Sequence, residues 1–215
     1  SATMWQALGR RLGLSVLVSL FAGTFGILIG YAVARKRGSR AATLVSNLAF
    51  LPYLIPSMSF GAVYLALSYT EGFTWLDGSF FLLFLVGTIK FMPFASRTGT
   101  SAMLQLSGEI EEAAIIMGVP WWKRMTRVLF PIQKSSFMSG YLLPFISCMR
   151  EMSLFVLLAA SYTTLVTTLL QEYSRTGLTQ ASNAINLLII VVVLIIQFVV
   201  NKLTGASIDK GVGGN

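Results

Sequence analysis

EIEEAAIIMGVPWWKRMTRVLFP, residues 109–131, is an amphipathic stretch that interrupts a chain made mostly of apolar runs. Ser107 precedes three carboxylates, which is the pattern of an N-cap followed by acids at the positive end of a helix. Gly118 is suited to end that helix, and Pro120 is suited to begin another. Pro131 is expected to end the second helix. The stretch therefore predicts two short helices joined by a tight bend at Gly118.

The composition of the chain indicates a membrane protein. Of its 215 residues, 55% are hydrophobic and 11% are charged, whereas soluble domains carry about 25% charged residues. The net charge of +8 comes from basic residues that flank apolar runs, which favours membrane topology and anionic lipid as partners over nucleic acid. Histidine is absent and Cys148 is the one cysteine. Histidine metal ligands, Ser-His triads and an internal disulfide are thereby excluded, and we expect no metal site.

Five apolar runs are long enough to cross a bilayer, which takes about 20 residues. They cover about 12–34, 44–69, 80–96, 135–160 and 181–203. We therefore predict an all-α fold, a polytopic membrane helical bundle of about five transmembrane helices. It forms a single domain over 1–215, with the polar loop 97–134 between the third and fourth helices.

The distribution of basic residues predicts which side of the membrane the loop 97–134 occupies. Alternating spans place eleven basic residues on the side of this loop and three on the other. The eleven are Arg35, Lys36, Arg37, Arg40, Arg97, Lys123, Arg124, Arg127, Lys134, Lys202 and Lys210, and the three are Arg10, Arg11 and Arg175. Because short cytoplasmic loops are enriched in Lys and Arg, we expect the loop and the C-terminus to be cytoplasmic.

Three charged residues lie well inside predicted spans, away from their ends, where an uncompensated charge is costly and suggests function. Arg150 and Glu151 lie in the fourth span, and either fix helix packing or take part in a transport pathway or gate. Lys90 lies in the third span, and either extends to the cytoplasmic interface or pairs with Glu151. All three are candidate pathway or gate residues.

Prolines and glycines mark further features of the spans. Pro52 and Pro56 lie in the second span, Pro93 in the third and Pro144 in the fourth. Each removes a backbone donor and is expected to bend its helix, so Pro52 and Pro56 are also candidates for lining a pathway. Three glycines of the first span are expected to permit close helix contact; they are Gly23, Gly26 and Gly30.

The amphipathic stretch resembles a known family motif. Glu112, Ala113 and Ala114 are followed by three residues and then Gly118, and nine residues later stands VLFP, residues 128–131. This pattern is similar to the EAA motif of the permeases of binding-protein-dependent ABC importers, which have the MetI-like fold. In that motif the last four residues are Ile-x-Leu-Pro, so Val and Phe here are apolar exchanges.

The resemblance implies a function and a set of partners. The first short helix would be a coupling helix that docks into a cytoplasmic ATPase dimer. Glu112, Ala113, Ala114, Gly118 and Pro131 would form that joint. The chain would bind no cofactor, and ATP with Mg²⁺ would be held by the ATPase. A second permease subunit or half and an extracytoplasmic substrate-binding protein would complete the importer in the bacterial cytoplasmic (inner) membrane.

The substrate expectation also comes from resemblance. SCMREMSLFVLLA, residues 147–159, resembles permeases for ferric iron and their relatives for polyamines, phosphonates and thiamine. Ferric iron is the first expectation. Ferric permeases often carry two such blocks, so the chain resembles either a separate subunit or the C-terminal half of a fused permease.

Two other functions compete with the importer. An ion-driven secondary carrier would need no ATPase, and a membrane-embedded enzyme would need paired catalytic groups. Glu151 is the one acid in a predicted span and has no evident catalytic partner, so no catalytic residue is assigned. The chain contains no GxxxxGK[ST] sequence. It is therefore not expected to be an enzyme on its own, and ATP hydrolysis would belong to a partner.

Overall fold

The computed structural model describes residues 2–159 and 164–206, and the regular structure in those two ranges is helical. The helices are α1 (Ala2–Arg35), α2 (Arg40–Leu54), α3 (Ser57–Ser68), α4 (Phe80–Gln105), α5 (Gly108–Ile116), α6 (Trp121–Arg124), α7 (Phe130–Ile132), α8 (Lys134–Arg150), α9 (Ser153–Leu158), α10 (Val166–Arg175) and α11 (Thr179–Thr204). A 3₁₀ turn covers Thr74–Leu76, and a π-helical turn covers Met125–Leu129. The predicted all-α bundle is confirmed.

Three or four of the five predicted spans correspond to helices that are long and apolar enough to cross a membrane. By length and composition, three helices of the described chain can cross a membrane, namely α1, α4 and α11, and α2 with α3 could form a fourth. The last two meet at a bend of 98°. The predicted fourth span divides into the 17-residue α8 and the short α9, and its final residue, 160, lies outside the described residues. Five spans remain a prediction.

The predicted end of the third span was wrong. The third span was expected to stop at Arg97, but α4 continues to Gln105. The Arg97 guanidinium lies 4.2 Å from the centre of the Phe50 ring, a cation–π contact that accommodates the charge on the helix. Bends were expected at four prolines: α2, α4 and α8 include Pro52, Pro93 and Pro144 without a break, and bends at these three remain a prediction. The chain breaks at Pro56, where α3 begins.

Helix α1 forms the centre of the bundle because its glycines allow neighbouring helices to approach closely. A Cβ at Gly26 would lie 2.5 Å from the Ala95 Cβ, and one at Gly30 would lie 2.5 Å from the Thr100 backbone nitrogen. At Gly23 it would lie 2.3 Å from the Tyr141 ring. The close contacts predicted for these glycines are confirmed. They hold α4 parallel to α1, and α8 antiparallel to it.

We expect Gly30→Ala to lower the melting temperature of the purified protein in detergent. The added methyl group would overlap with the α4 backbone at Ser96, Gly99 and Thr100, and overpacking of this kind costs about 1–3 kcal/mol. Gly13→Ala is the matched control, since nothing lies within 4 Å of a Cβ at Gly13 on the same helix. Equal melting temperatures for the two variants would contradict the close packing of α1 on α4.

Several helices present apolar side chains on the outside of the bundle. In α11, only 17% of the most apolar window is buried, and its exposed side chains include Leu187, Leu194, Ile195 and Phe198. Apolar surface of this extent marks contact with lipid or with another protein.

The amphipathic stretch lies at one end of the bundle, which we call the hairpin end. Helices α1, α4 and α11 end there and α8 begins there. Ser135 at the start of α8 donates a hydrogen bond to the Gly205 carbonyl oxygen beyond α11 (2.5 Å). Apolar contacts among Ile27, Met103, Met125 and Leu129 hold the stretch to the bundle. Most basic residues assigned to the cytoplasmic side lie at this end, although Lys210 is outside the described residues.

Candidate functional site

The amphipathic stretch folds as a helical hairpin, defined here as residues 107–132. The Ser107 hydroxyl accepts a hydrogen bond from the Glu109 N–H (3.3 Å) and caps α5. At the other end, the Gly118 N–H donates to the Ile115 carbonyl (2.9 Å), and the Val119 N–H donates to the Ala114 carbonyl (3.0 Å). Gly118 has φ +72°, which favours glycine. The predicted N-cap and the left-handed bend are confirmed.

The second arm of the hairpin runs further than predicted. Helix α6, the π-helical turn and α7 follow one another from Trp121 to Ile132, so Pro131 lies inside the last turn. Pro131 has no N–H to donate to the Arg127 carbonyl. The preceding turn is widened instead, with the Phe130 N–H donating to the Met125 carbonyl. Pro131 is exposed and marks the point at which the hairpin joins α8.

Glu111 holds the hairpin to the end of α1. Its carboxylate accepts hydrogen bonds from the Tyr31 hydroxyl (2.5 Å) and the Arg35 Nε (2.6 Å), and Arg124 Nε lies 3.6 Å away. Glu111 is only 5% exposed. Arg124 also donates to the Val119 carbonyl in the bend (2.9 Å). One buried acid therefore connects both arms of the hairpin to the membrane helix.

Sequence reasoning did not identify this role for Glu111. It selected Glu112 from the motif, whereas the structure leaves Glu112 exposed. Ala114 is buried, three residues after Glu111, so these two lie on one helix face. The spacing of Glu111 and Ala114 was the signal that could have distinguished the inner face of α5 from its outer face.

The outer face and tip of the hairpin are open. Ala113 and Gly118 are exposed, as Glu112 is, while Ala114 faces inward. At the tip, Ile116 is 86% exposed and Met117 is 75% exposed. A rigid hairpin with an exposed apolar tip is suited to enter a groove on another protein.

A second group of polar contacts lies where two helix breaks meet. One break is at Ile55–Pro56 between α2 and α3, and the other is at Glu151–Met152 between α8 and α9. The Ser57 hydroxyl donates to the Glu151 carboxylate (3.1 Å), which brings the two breaks together. We call this group the junction; it comprises Arg11, Ser57, Lys90 and Glu151.

Lys90 caps the C-terminal end of α2. Its Nζ donates to the carbonyl oxygens of Pro52 (2.9 Å) and Ile55 (2.5 Å). Pro56 has no N–H to satisfy the Pro52 carbonyl, and a cation is favoured at a helix C-terminus. Lys90 is only 8% exposed and forms no ion pair with Glu151 among the described residues. Neither the expected interfacial position nor the expected pairing with Glu151 is therefore correct.

Arg11 caps the C-terminal end of α8 in the same way. Its Nη2 donates to the carbonyl oxygens of Cys148 and Glu151, and its guanidinium lies 4.2 Å from the centre of the Phe155 ring. Arg11 is 0% exposed; the distribution of basic residues placed it with Arg10 on the side of the membrane opposite the loop and did not indicate that it is buried. Leu14 and Val18, three and seven residues later, are also fully buried. This helical spacing could have indicated that Arg11 faces inward.

The carboxylate of Glu151 caps α9 and also binds a hydroxyl at the start of α3. One oxygen accepts from the Leu154 N–H in α9 (3.1 Å), and the other accepts from Ser57 in the first turn of α3. Arg150, its neighbour, points elsewhere and is exposed. The two side chains form no ion pair with each other, and Glu151 lies in extended backbone just beyond the last residue of α8.

We expect Glu151→Gln to lower both the melting temperature and the transport rate. The amide would leave the cations Arg11 and Lys90 without a carboxylate at the junction, and weakening buried hydrogen bonds of a charged group costs about 1–3 kcal/mol. Transport and melting curves would be compared with Glu71→Gln, which removes an exposed carboxylate. If Glu151→Gln transports and melts like that control, the junction does not depend on the carboxylate.

Among the described residues, no three His, Cys, Asp or Glu side chains lie together as a group that could hold a metal ion. The geometry is suited to mechanical coupling and helix packing. An anchored hairpin lies at one end of the bundle, and charged residues inside the bundle hold two broken helices together.

Comparison with known proteins identifies the class of this bundle. The family model described as "Binding-protein-dependent transport system inner membrane component" matches residues 26–207. The sulfate transport system permease protein CysT of Escherichia coli (strain K12) is 27% identical over 208 residues, which cover 87% of this chain and 72% of that protein.

Other relatives carry different substrate names. The ferric transport system permease protein FbpB of Actinobacillus pleuropneumoniae is 22% identical over 89% of this chain. The putative 2-aminoethylphosphonate transport system permease protein PhnV of Salmonella typhimurium is 26% identical over 69% of this chain. The chain spans 28% of the length of that ferric permease and 55% of the length of that phosphonate permease.

Solved structures share the fold. A chain of the inward-facing MetNI methionine ABC transporter superposes with a TM-score of 0.77 at 17% identity, covering 95% of this chain and 97% of that one. A chain of a bacterial alginate ABC transporter, solved in complex with an alginate-bound periplasmic protein, gives a TM-score of 0.73 at 16% identity and covers 94% and 79%.

Proposed function

Because the chain belongs to the family of binding-protein-dependent inner membrane components, the permeases of ABC importers, we propose that its bundle forms a substrate pathway driven by a separate ATPase. The observation that carries the proposal is the hairpin, anchored through Glu111 and open at Ala113, Ile116 and Met117. A partner that moves the hairpin would thereby move α1. The family match leaves the ion-driven carrier and the membrane enzyme without support.

The proposed assembly has four kinds of component. An ATPase dimer binds the hairpin and holds ATP and Mg²⁺, while this chain holds no cofactor. A second permease subunit or half completes the pathway, and an extracytoplasmic binding protein delivers the substrate. The solved alginate transporter complex, with its periplasmic protein, supports the last of these by analogy of fold. Glu112, Ala113 and Gly118 form the contact surface, and Ala114 supports it from inside.

Ferric iron is the substrate proposed from residues 147–159, and the names of the relatives add sulfate and 2-aminoethylphosphonate as oxyanion candidates. The test is ATP hydrolysis by the complete transporter, purified with its ATPase and binding protein and reconstituted in nanodiscs. We expect ferric iron to stimulate hydrolysis. Stimulation by sulfate or the phosphonate alone would show that the iron assignment is wrong. Hydrolysis that never responds to a ligand of the binding protein would contradict the importer.

We propose that the hairpin and the C-terminus face the cytoplasm. A Cys148→Ser background removes the one cysteine, and single cysteines are then placed at Ser107 in the hairpin and at Ser174 in α10. Both positions are exposed. In sealed cells, we expect a membrane-impermeant maleimide to label the cysteine at Ser174 and not the one at Ser107. The reverse pattern would invert the orientation, and disrupted cells serve as the control for reactivity.

A further inference from the structure

A third polar region of the bundle lies beside the junction and away from the hairpin. A cavity of about 380 Å³ opens between the end of α8, helix α10 and the first turns of α11. Its volume lies within the range of small-ligand sites, about 300–1,000 Å³. Arg150, Thr167 and Asn186 supply its polar groups, and methionine, leucine and isoleucine side chains supply the remaining walls.

The guanidinium of Arg150 has no counter-charge in this cavity. It forms no hydrogen bond or ion pair with any residue of the described chain. The adjacent carboxylate, Glu151, is occupied by Ser57 and Leu154. Helix α8 rises about 25 Å over its 17 residues, so Arg150 lies at the far end of the helix from the hairpin. Arg150 is exposed within the described chain, so its guanidinium is accessible to a ligand, and an arginine in a membrane span is costly unless a partner compensates its charge.

Thr167 supplies a second unsatisfied group. The residue is 3% exposed, and its hydroxyl is buried with no hydrogen-bond partner among the described residues. A buried hydroxyl without a hydrogen-bond partner destabilises the fold. Most hydroxyls on the helices of this bundle donate to the carbonyl one turn back, as Thr88, Thr98 and Thr100 do. Thr167 is therefore available to a ligand.

The three polar groups can all donate hydrogen bonds to an oxyanion. Arg150 presents a fork of N–H donors that matches two oxygens of a planar or tetrahedral oxyanion. Thr167 can donate a third hydrogen bond, and Asn186 is exposed on the facing helix with an amide that can donate as well. An anion would also offset the charge of Arg150.

We propose that the cavity lined by Arg150, Thr167 and Asn186 binds an oxyanion of the sulfate, phosphate or phosphonate class. The oxyanion is a free solute or the phosphate of a lipid headgroup. The proposal concerns binding to this chain, so it is independent of the cargo and of the coupling to an ATPase.

Binding is tested with radiolabelled sulfate on the purified permease–ATPase complex in a phosphate-free nonionic detergent, with chloride held constant. We expect saturable binding that Arg150→Gln weakens about tenfold or more, since a hydrogen bond to a charged group contributes about 1.5–3 kcal/mol. Thr167→Val should weaken it about threefold or more, and Arg150→Lys should retain part of it. Arg175→Gln is the matched control, an exposed arginine that lines a different cavity.

The source of the oxyanion is distinguished by adding phosphatidylglycerol. If the lipid displaces sulfate from the wild type and is itself retained less by Arg150→Gln, the occupant is a headgroup phosphate. If the lipid has no effect on sulfate binding, the occupant is a free oxyanion. The proposal is overturned if neither sulfate nor the lipid binds in a manner that depends on Arg150. Melting temperatures of all the variants show that each is folded.

Discussion

Replacement of Ala113 by tryptophan is expected to separate ATP hydrolysis from transport while the permease stays folded. Ala113 is exposed on the outer face of α5, so the indole would not disturb the packing of the chain itself. It would, however, obstruct a groove that fits a small side chain, and loss of one central contact of an interface costs about 2 kcal/mol or more. Transport per ATP hydrolysed should fall at least about tenfold, or the ATPase should dissociate.

Ala114→Trp is the contrasting variant. Ala114 is 3% exposed and faces the bundle, so the same indole there should overpack the interior and reduce the yield of folded protein. Gly118→Val should resemble Ala113→Trp in uncoupling, because a β-branched residue is strained at φ +72°. If Ala113→Trp leaves the coupling ratio unchanged, the outer face of α5 is not the docking surface.

Cross-linking provides a positive test of the same surface. In the Cys148→Ser background, a cysteine replacing Ala113 should cross-link to a cysteine in the groove of the partner ATPase, with a yield that ATP alters. A cysteine replacing Ser174 in α10 should not cross-link. Cross-linking from Ser174 but never from Ala113 would show that the hairpin has been assigned the wrong partner.

Arg11→Leu is expected to cause a severe loss of folded protein. The arginine is fully buried and donates to the Cys148 and Glu151 carbonyls at the end of α8. Leucine would leave the Glu151 carbonyl without its donor and the Cys148 carbonyl with only the Glu151 N–H at 3.3 Å, and hydrogen bonds from a charged group contribute about 1.5–3 kcal/mol each. Size-exclusion profiles of a fluorescent fusion and melting curves would measure the loss.

Arg10→Leu is the matched control for this prediction. It removes the same charge from the same end of α1, so any effect on membrane orientation is equal in the two variants. Arg10 is exposed, so the control should give nearly normal yield and melting temperature. If both variants behave alike, the contribution of Arg11 is its charge near the membrane surface and not its contacts with α8.

The sequence by itself determined the helices and the hairpin, because both depend on residues close together in the chain. The Ser107 cap and the bend at Gly118 follow from a hydroxyl two residues before its donor and from a glycine that tolerates positive φ. The apolar runs likewise predicted α1, α4 and α11. Most of the observed helix ends lie within a few residues of the predicted ones. The glycines of α1 predicted close packing, since a missing side chain is visible in the sequence.

Only the tertiary structure decided which charged group meets which partner. Arg11 and the Cys148 carbonyl are 137 residues apart in sequence, and their contact depends on how α1 and α8 are rotated and aligned. For the same reason, only the packing of the helices shows that Glu111 is buried while its neighbour Glu112 is exposed. It also shows that Lys90 binds the end of α2 instead of Glu151. An ionisable side chain in a span must find compensation. The sequence shows that need, but the partner is determined by the packing of helices distant along the chain.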